Sequence, residues 1–160
     1  MQMPEPDQQI IARRESICAA LGKLVPADSV VVSEEGRRAY DADGLSAYRQ
    51  LPLAVVLPET VEQLAAVMKF CHAEGIKVVP RGAGTSLSGG ALPLADAVLV
   101  GLGKFNRILD IDYANRCVVA QPGVTNLAIT HAVQDNGFYY APDPSSQIAC
   151  SVGGNVAENS

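Results

Sequence analysis

The chain has 160 residues, enough for one domain or slightly more, and its 48% hydrophobic and 18% charged content permits a buried core and excludes a disordered tail. A net charge of −5, scattered Lys and Arg, 5% aromatics and no Trp provide neither a basic stripe for nucleic-acid phosphates nor a stacking platform for bases. Mean hydropathy is +0.14, yet no apolar run approaches the roughly 18 residues of a membrane span.

The first nine residues are polar and acidic with two prolines and lack the apolar stretch of a secretory signal, so residues 1–7 are expected to be a frayed start. Cys18, Cys71, Cys117 and Cys150 stand far apart with no C-x-x-C pair. They read as buried thiols in a reducing cytoplasm, with no metal or redox cluster. Ile10, Ile11, Ile17, Cys18, Leu21 and Leu24 fit one face of a helix over residues 10–24, stopped by Pro26. Val30, Val31 and Val32 form a short strand before an exposed loop. Residues 1–50 are thus a helical and extended segment preceding a more regular unit at 51–160.

From residue 53 the pattern is α+β. Residues 53–57 are an apolar run between Pro52 and Pro58, suited to a strand buried on both faces. Thr60 and Gln63 form a capping box for a helix that turns Val61, Leu64, Val67, Met68 and Cys71 inward and closes at Gly75. Residues 76–79 then make a second strand, completing a βαβ unit with parallel strands. A strand over 97–102 follows, then a hairpin turning at Tyr113, Ala114 and Asn115. Thr125 caps a further helix that closes at Asn136-Gly137.

Two loops could carry chemistry. Arg81-Gly82-Ala83-Gly84-Thr85-Ser86, continuing to Gly89-Gly90, is glycine-rich with hydroxyls and one cation. It fails the Rossmann pattern because Leu87 stands where the third glycine belongs, and it fails the Walker pattern because no lysine follows Gly89. What remains is a strand-end nest of backbone amides suited to pyrophosphate, or a plain tight turn. Pro142-Asp143-Pro144-Ser145-Ser146 and Cys150-Ser151-Val152-Gly153-Gly154-Asn155 form a second Pro/Ser/Gly loop that could converge on the same extended ligand. His72 and His131 read as surface or satisfied histidines, Cys71 and Cys150 as small buried hydrophobes, and Asp110 and Asp112 as solvent-face carboxylates. Glu158 and Asn159 either approach a ligand or merely solvate the end of the chain.

In order and spacing, Pro80 to Ser86, Gln121 to Val124, Pro142 to Pro144 and Ser151 to Ser160 resemble the FAD-binding domain of FAD-linked oxidases, the vanillyl-alcohol oxidase-type superfamily. Within it the chain is most similar to the group of glycolate oxidase D-subunits and D-lactate dehydrogenases. The resemblance implies an FAD-binding subdomain with a βαβ unit and a mixed sheet, plus the opening of a second α+β subdomain, the substrate cap lying further on. It implies that Arg81, Gly82, Ala83, Gly84, Thr85 and Ser86 line the pyrophosphate. Pro142, Asp143, Pro144, Ser145, Cys150, Ser151, Gly153, Gly154 and Asn155 then run along the ribityl and flavin side. Thr85 aligns where covalent relatives carry a histidine, so a non-covalent flavin is implied. Substrate would be a small 2-hydroxyacid in the full-length protein, with partner subunits. No catalytic residue falls within these residues, and the 160 residues alone are expected to be inactive and prone to self-association. The other reading is a non-catalytic nucleotide-binding or subunit-contact module.

Overall fold

The computed structural model describes residues 3–159; Met1, Gln2 and Ser160 lie outside the described residues, including the opening of the expected frayed start. The remainder of that start is tied down. The Asp7 carboxylate accepts from the N–H groups of Gln9 and Ile10 and caps α1 (Gln8–Ala12), while the Asp7 N–H donates to the buried Asp96 carboxylate at 2.8 Å. The helix expected over residues 10–24 is two helices, because the chain bends at Arg13 (φ −91°, ψ 4°) before α2 (Arg14–Leu21). The bend aims the Arg14 Nε at the Leu53 carbonyl, 2.8 Å away.

β1 (Val30–Val31) is followed by a helix the sequence reading missed, α3 (Glu34–Arg38). Its signals are local: the Ser33 hydroxyl accepts from the Gly36 N–H at 3.2 Å, acids fill the first turn and arginines the last. Arg37 then donates to the Pro52 carbonyl at 2.6 Å, so the first fifty residues grip the start of the next strand at two adjacent carbonyls.

The sheet is mixed and four-stranded in the order β1-β2-β4-β3. β2 (Ala54–Val56), β3 (Lys77–Arg81) and β4 (Ala97–Gly101) are parallel, and β1 runs antiparallel to β2. The βαβ unit is present with its two strands parallel, but β4 lies between them. All five residues of β4 are buried, so the strand that is apolar on both faces takes a central place.

α4 (Val61–Ala73) bridges β2 and β3. At its start the Thr60 hydroxyl accepts from the Gln63 N–H, while the Gln63 side chain reaches back to the N–H of Glu59 rather than Thr60. Val67 and Cys71 are buried and Leu64 packs beside them. Val61 (65% exposed) and Met68 (45% exposed) face outward, contrary to the expectation, since the inward stripe is narrow and passes through residues 64, 67 and 71. Gly75 closes the helix with φ +67°. The core joins Ile10, Ile17, Leu21 and Val25 to the sheet and α4. Burial pushes the Cys71 thiol up to about 11. The four cysteines are unpaired, but they are not all buried: Cys117 is exposed and Cys18 half-buried.

A second, two-stranded antiparallel sheet is the hairpin β5 (Ile108–Asp112) and β6 (Cys117–Ala120). Asp112 serves its turn, accepting from the N–H and side-chain amide of Asn115. α5 (Asn126–Val133) is capped by Thr125 and continues as a single tight turn to Asn136, with Gly137 at φ +78°. The chain ends in α6 (Val152–Glu158), where the sequence reading placed a loop. Gly153 and Gly154, poor helix formers, concealed it. Among the described residues no helix is long and apolar enough to cross a membrane.

Candidate functional site

The glycine loop leaves the sheet at the carboxyl end of β3, the end at which open parallel sheets receive ligands. Across from it, Ser151 and α6 form a second wall. Between them lies a cleft of about 660 Å³. Pro80 to Leu87 form one side, Pro144, Ser146, Cys150, Ser151, residues 153–155, Ala157 and Glu158 the other, and Leu102 and Pro122 the base. The two loops singled out by composition therefore meet. Pro142, Asp143 and Ser145 do not line the cleft, because the chain touches its rim only through Pro144 and Ser146.

The second wall is fixed by backbone bonds that its glycine makes possible. Val152 N–H donates to the Val124 carbonyl at 2.9 Å, and Gly153 N–H to the Pro122 carbonyl at 2.8 Å. Gly153 must be glycine for this approach, since a Cβ there would lie 2.6 Å from the Pro122 Cβ. Beneath, the buried Asn155 donates its side-chain amide to Asn126 at 2.6 Å, and Asn126 donates to the Pro142 carbonyl at 3.2 Å. Asn155 lines the cleft, but its amide is already engaged in holding α6 on α5.

The first wall has the opposite character. Among the described residues, the backbone N–H groups of residues 82–86 donate to no other protein group. Gly84 has φ +71°, a conformation that turns successive amides to one side. The Ser86 hydroxyl bonds the Ser88 hydroxyl at 2.8 Å, which donates to Glu158 at 2.7 Å, so a hydroxyl chain spans the mouth between the walls. Arg81 does not extend its guanidinium freely into the cleft; it donates to the Tyr40 carbonyl at 3.1 Å. Burial lowers its pKa, partly offset by the nearby Asp43 and Tyr40.

Of the buried side-chain atoms without a partner among the described residues, one belongs to a residue of the cleft wall. The Ser151 hydroxyl, only 4% of the residue being exposed, has no hydrogen-bond partner, and it lies where a Cβ on Gly82 would have to go. A buried hydroxyl without a partner costs roughly 1–3 kcal/mol, and here it sits packed against the glycine loop. The open amides of residues 82–86 and the glycine-turned loop that carries them form a donor set for a phosphate-bearing group, and these residues fit FAD. Sequence reading missed Leu102, Pro122 and Ala157 as lining; Pro122 was visible only as a strand breaker. A separate groove of about 510 Å³ lies between the hairpin and α5, bordered by Tyr113, Phe138 and Tyr139.

An amide nest at the end of a parallel strand, facing a Ser/Gly wall, defines a nucleotide-cofactor domain of α+β type. The family model described as FAD binding domain matches residues 52–160, and the chain belongs to that family. It is 54% identical over 146 residues to the glycolate oxidase subunit GlcD of Escherichia coli K12, covering 91% of this chain and 29% of that protein. It is 36% identical over 138 residues to a D-lactate dehydrogenase of Anaerostipes hadrus, covering 86% and 29%. The solved structure of 4-ethylphenol oxidase from Gulosibacter chungangensis superposes with TM-score 0.78 at 26% identity, covering 96% of this chain and 30% of that one. The chain thus spans less than a third of the length of each of these proteins.

Proposed function

We propose that the chain supplies the pyrophosphate-binding part of an FAD-dependent oxidoreductase acting on small 2-hydroxyacids of the glycolate or D-lactate kind. The observation that carries this reading is the run of open amides over residues 82–86, turned by Gly84 at φ +71° and lining the cleft. The similarity to a glycolate oxidase subunit and a D-lactate dehydrogenase supports the substrate class and the presence of partner subunits.

In this reading the amides of residues 82–86 and the Thr85 and Ser86 hydroxyls donate hydrogen bonds to the two phosphates, and Ser151, Gly153 and Gly154 stand on the other wall. Pro144, Ser146 and Cys150 run toward the ribityl chain, with Asn155 holding the wall. When bound, FAD would supply a two-electron acceptor for oxidation of the hydroxyacid carbinol carbon. This chain's own residues bind and orient; none is assigned as acid or base. Thr85 has no imidazole nitrogen, so the cofactor is held without a covalent bond. Residues 51–160 form the cofactor unit and residues 1–50 buttress it, in a reducing cytoplasm that suits four unpaired thiols.

Calorimetric titration of FAD into the whole protein tests the reading, followed by acid precipitation. Stoichiometric binding with all flavin released to the supernatant is expected. An absence of binding refutes the site, and colour retained in the pellet refutes the non-covalent mode. The 160 residues alone are expected to purify colourless and to self-associate, because a single wall pair buries too little of a large ligand.

A further inference from the structure

The glycine loop is supported from below by a segment that the family match does not include, since that match begins at residue 52. Gly44 lies directly under the loop: a Cβ there would stand 2.6 Å from the Ser86 carbonyl oxygen and 2.7 Å from that of Thr85. Leu45 reaches under Gly89, its Cδ2 being 3.5 Å from where a Cβ on Gly89 would sit. Arg81 ties the two layers together. Its guanidinium donates to the Tyr40 carbonyl at 3.1 Å and lies 5.7 Å from the centre of the Tyr40 ring. Asp43, 7% exposed, uses one carboxylate oxygen to accept from Leu45 N–H at 2.9 Å, and its other oxygen is buried without a partner. The segment is itself closed by Gln50 N–H donating to the Asp41 carbonyl at 2.7 Å and by an Arg49–Asp41 ion pair at 2.9 Å.

We propose that residues 40–45 are the underside of the cofactor cradle and that Arg81 is a positioning residue, setting the loop amides through Tyr40 rather than pairing with phosphate. This rests on reading the loop as the FAD pyrophosphate site. The Arg81 cation, surrounded by Tyr40 and neighbouring Asp43, is spent on the segment beneath. Gly44 does not line the cleft, so any effect of changing it on the ligand must travel through the loop.

The test measures FAD dissociation constants by flavin fluorescence in the whole protein for Gly44→Ala, Arg81→Ala, Arg81→Lys and Gly82→Val, with circular dichroism of each apo form. Gly44→Ala is expected to weaken FAD roughly tenfold or more with an unchanged apo spectrum, a shift readable without ambiguity. Arg81→Ala and Arg81→Lys are expected to weaken it about equally, because a lysine keeps the charge but lacks the planar fork that donates to one group while lying over a ring. Lysine restoring near wild-type affinity would show that charge is what the site needs and would overturn the proposal. Wild-type affinity in Gly44→Ala would also overturn it, and the cofactor site itself would stand if Gly82→Val still lost FAD. Should Gly44→Ala fail to fold, the two Arg81 variants decide alone. No FAD binding by the unmodified protein overturns both readings together.

Discussion

The central strands and the glycine loop that leaves them are built on opposite principles. In β2 and β4 every residue is buried and both strands are paired on either side, so apolar area holds the position. In residues 82–86 the amides are left open, and opposite them a buried hydroxyl has no partner. The sheet gives up freedom for stability; the loop keeps polar groups unsatisfied and relies on the sheet, Arg81 and the segment below to hold them in place. Stability and ligand binding should therefore respond to different residues.

Leu99, fully buried in β4, is the sharpest probe of the sheet. Leu99→Ala is expected to cost about 2–5 kcal/mol in urea unfolding, with FAD affinity retained by the fraction that stays folded. Gly82→Val probes the loop, placing a branched carbon against Ser151. FAD affinity should fall about a hundredfold, close to 2.7 kcal/mol, with little change in the unfolding midpoint. If both variants lose stability and binding together, the separation between the two regions is false.

The join between the N-terminal segment and the sheet edge is next. Asp96, 2% exposed, accepts from Lys77 at 2.7 Å and from the Asp7 N–H. Burial alone raises the Asp96 pKa, but the Lys77 and Asp7 hydrogen bonds overcome it and hold the carboxyl below its ordinary value. The stabilisation is then complete above the unfolded value, about 3.9, and disappears as pH falls through the lower folded value. Asp96→Asn should cost about 1–3 kcal/mol at neutral pH. Its stability should converge on that of the unmodified protein in acid below that value, as followed by thermal unfolding across pH. The smallest effect is at α4, where Thr60→Ala removes a cap worth about 1 kcal/mol and should leave FAD binding untouched.

How much of this was legible in the sequence follows the same division. The apolar runs at 53–57 and 97–102 gave both buried strands, the Thr60 and Thr125 caps gave α4 and α5, and the hairpin turned where expected. The insertion of β4 between β2 and β3 was not legible, because pairing order depends on which strand is apolar on both faces relative to the others. α6 was hidden by its glycines, which the cleft needs for close approach to Pro122 and which a helix otherwise disfavours. Composition located both loops, but it could not tell that Asn155 and Arg81 are turned to structural partners. Those partners, Asn126 and Tyr40, lie 29 and 41 residues away.

The most direct measurement is on the glycine amides themselves. With 15N-glycine labelling of the whole protein, addition of ADP, which carries the pyrophosphate without the flavin, should shift the amide resonances of Gly82 and Gly84 and of Gly153 and Gly154. Gly103 and Gly137, outside the cleft, should stay in place. Shifts confined to Gly137, beside the groove between the hairpin and α5, with the four cleft glycines unmoved, would contradict the account.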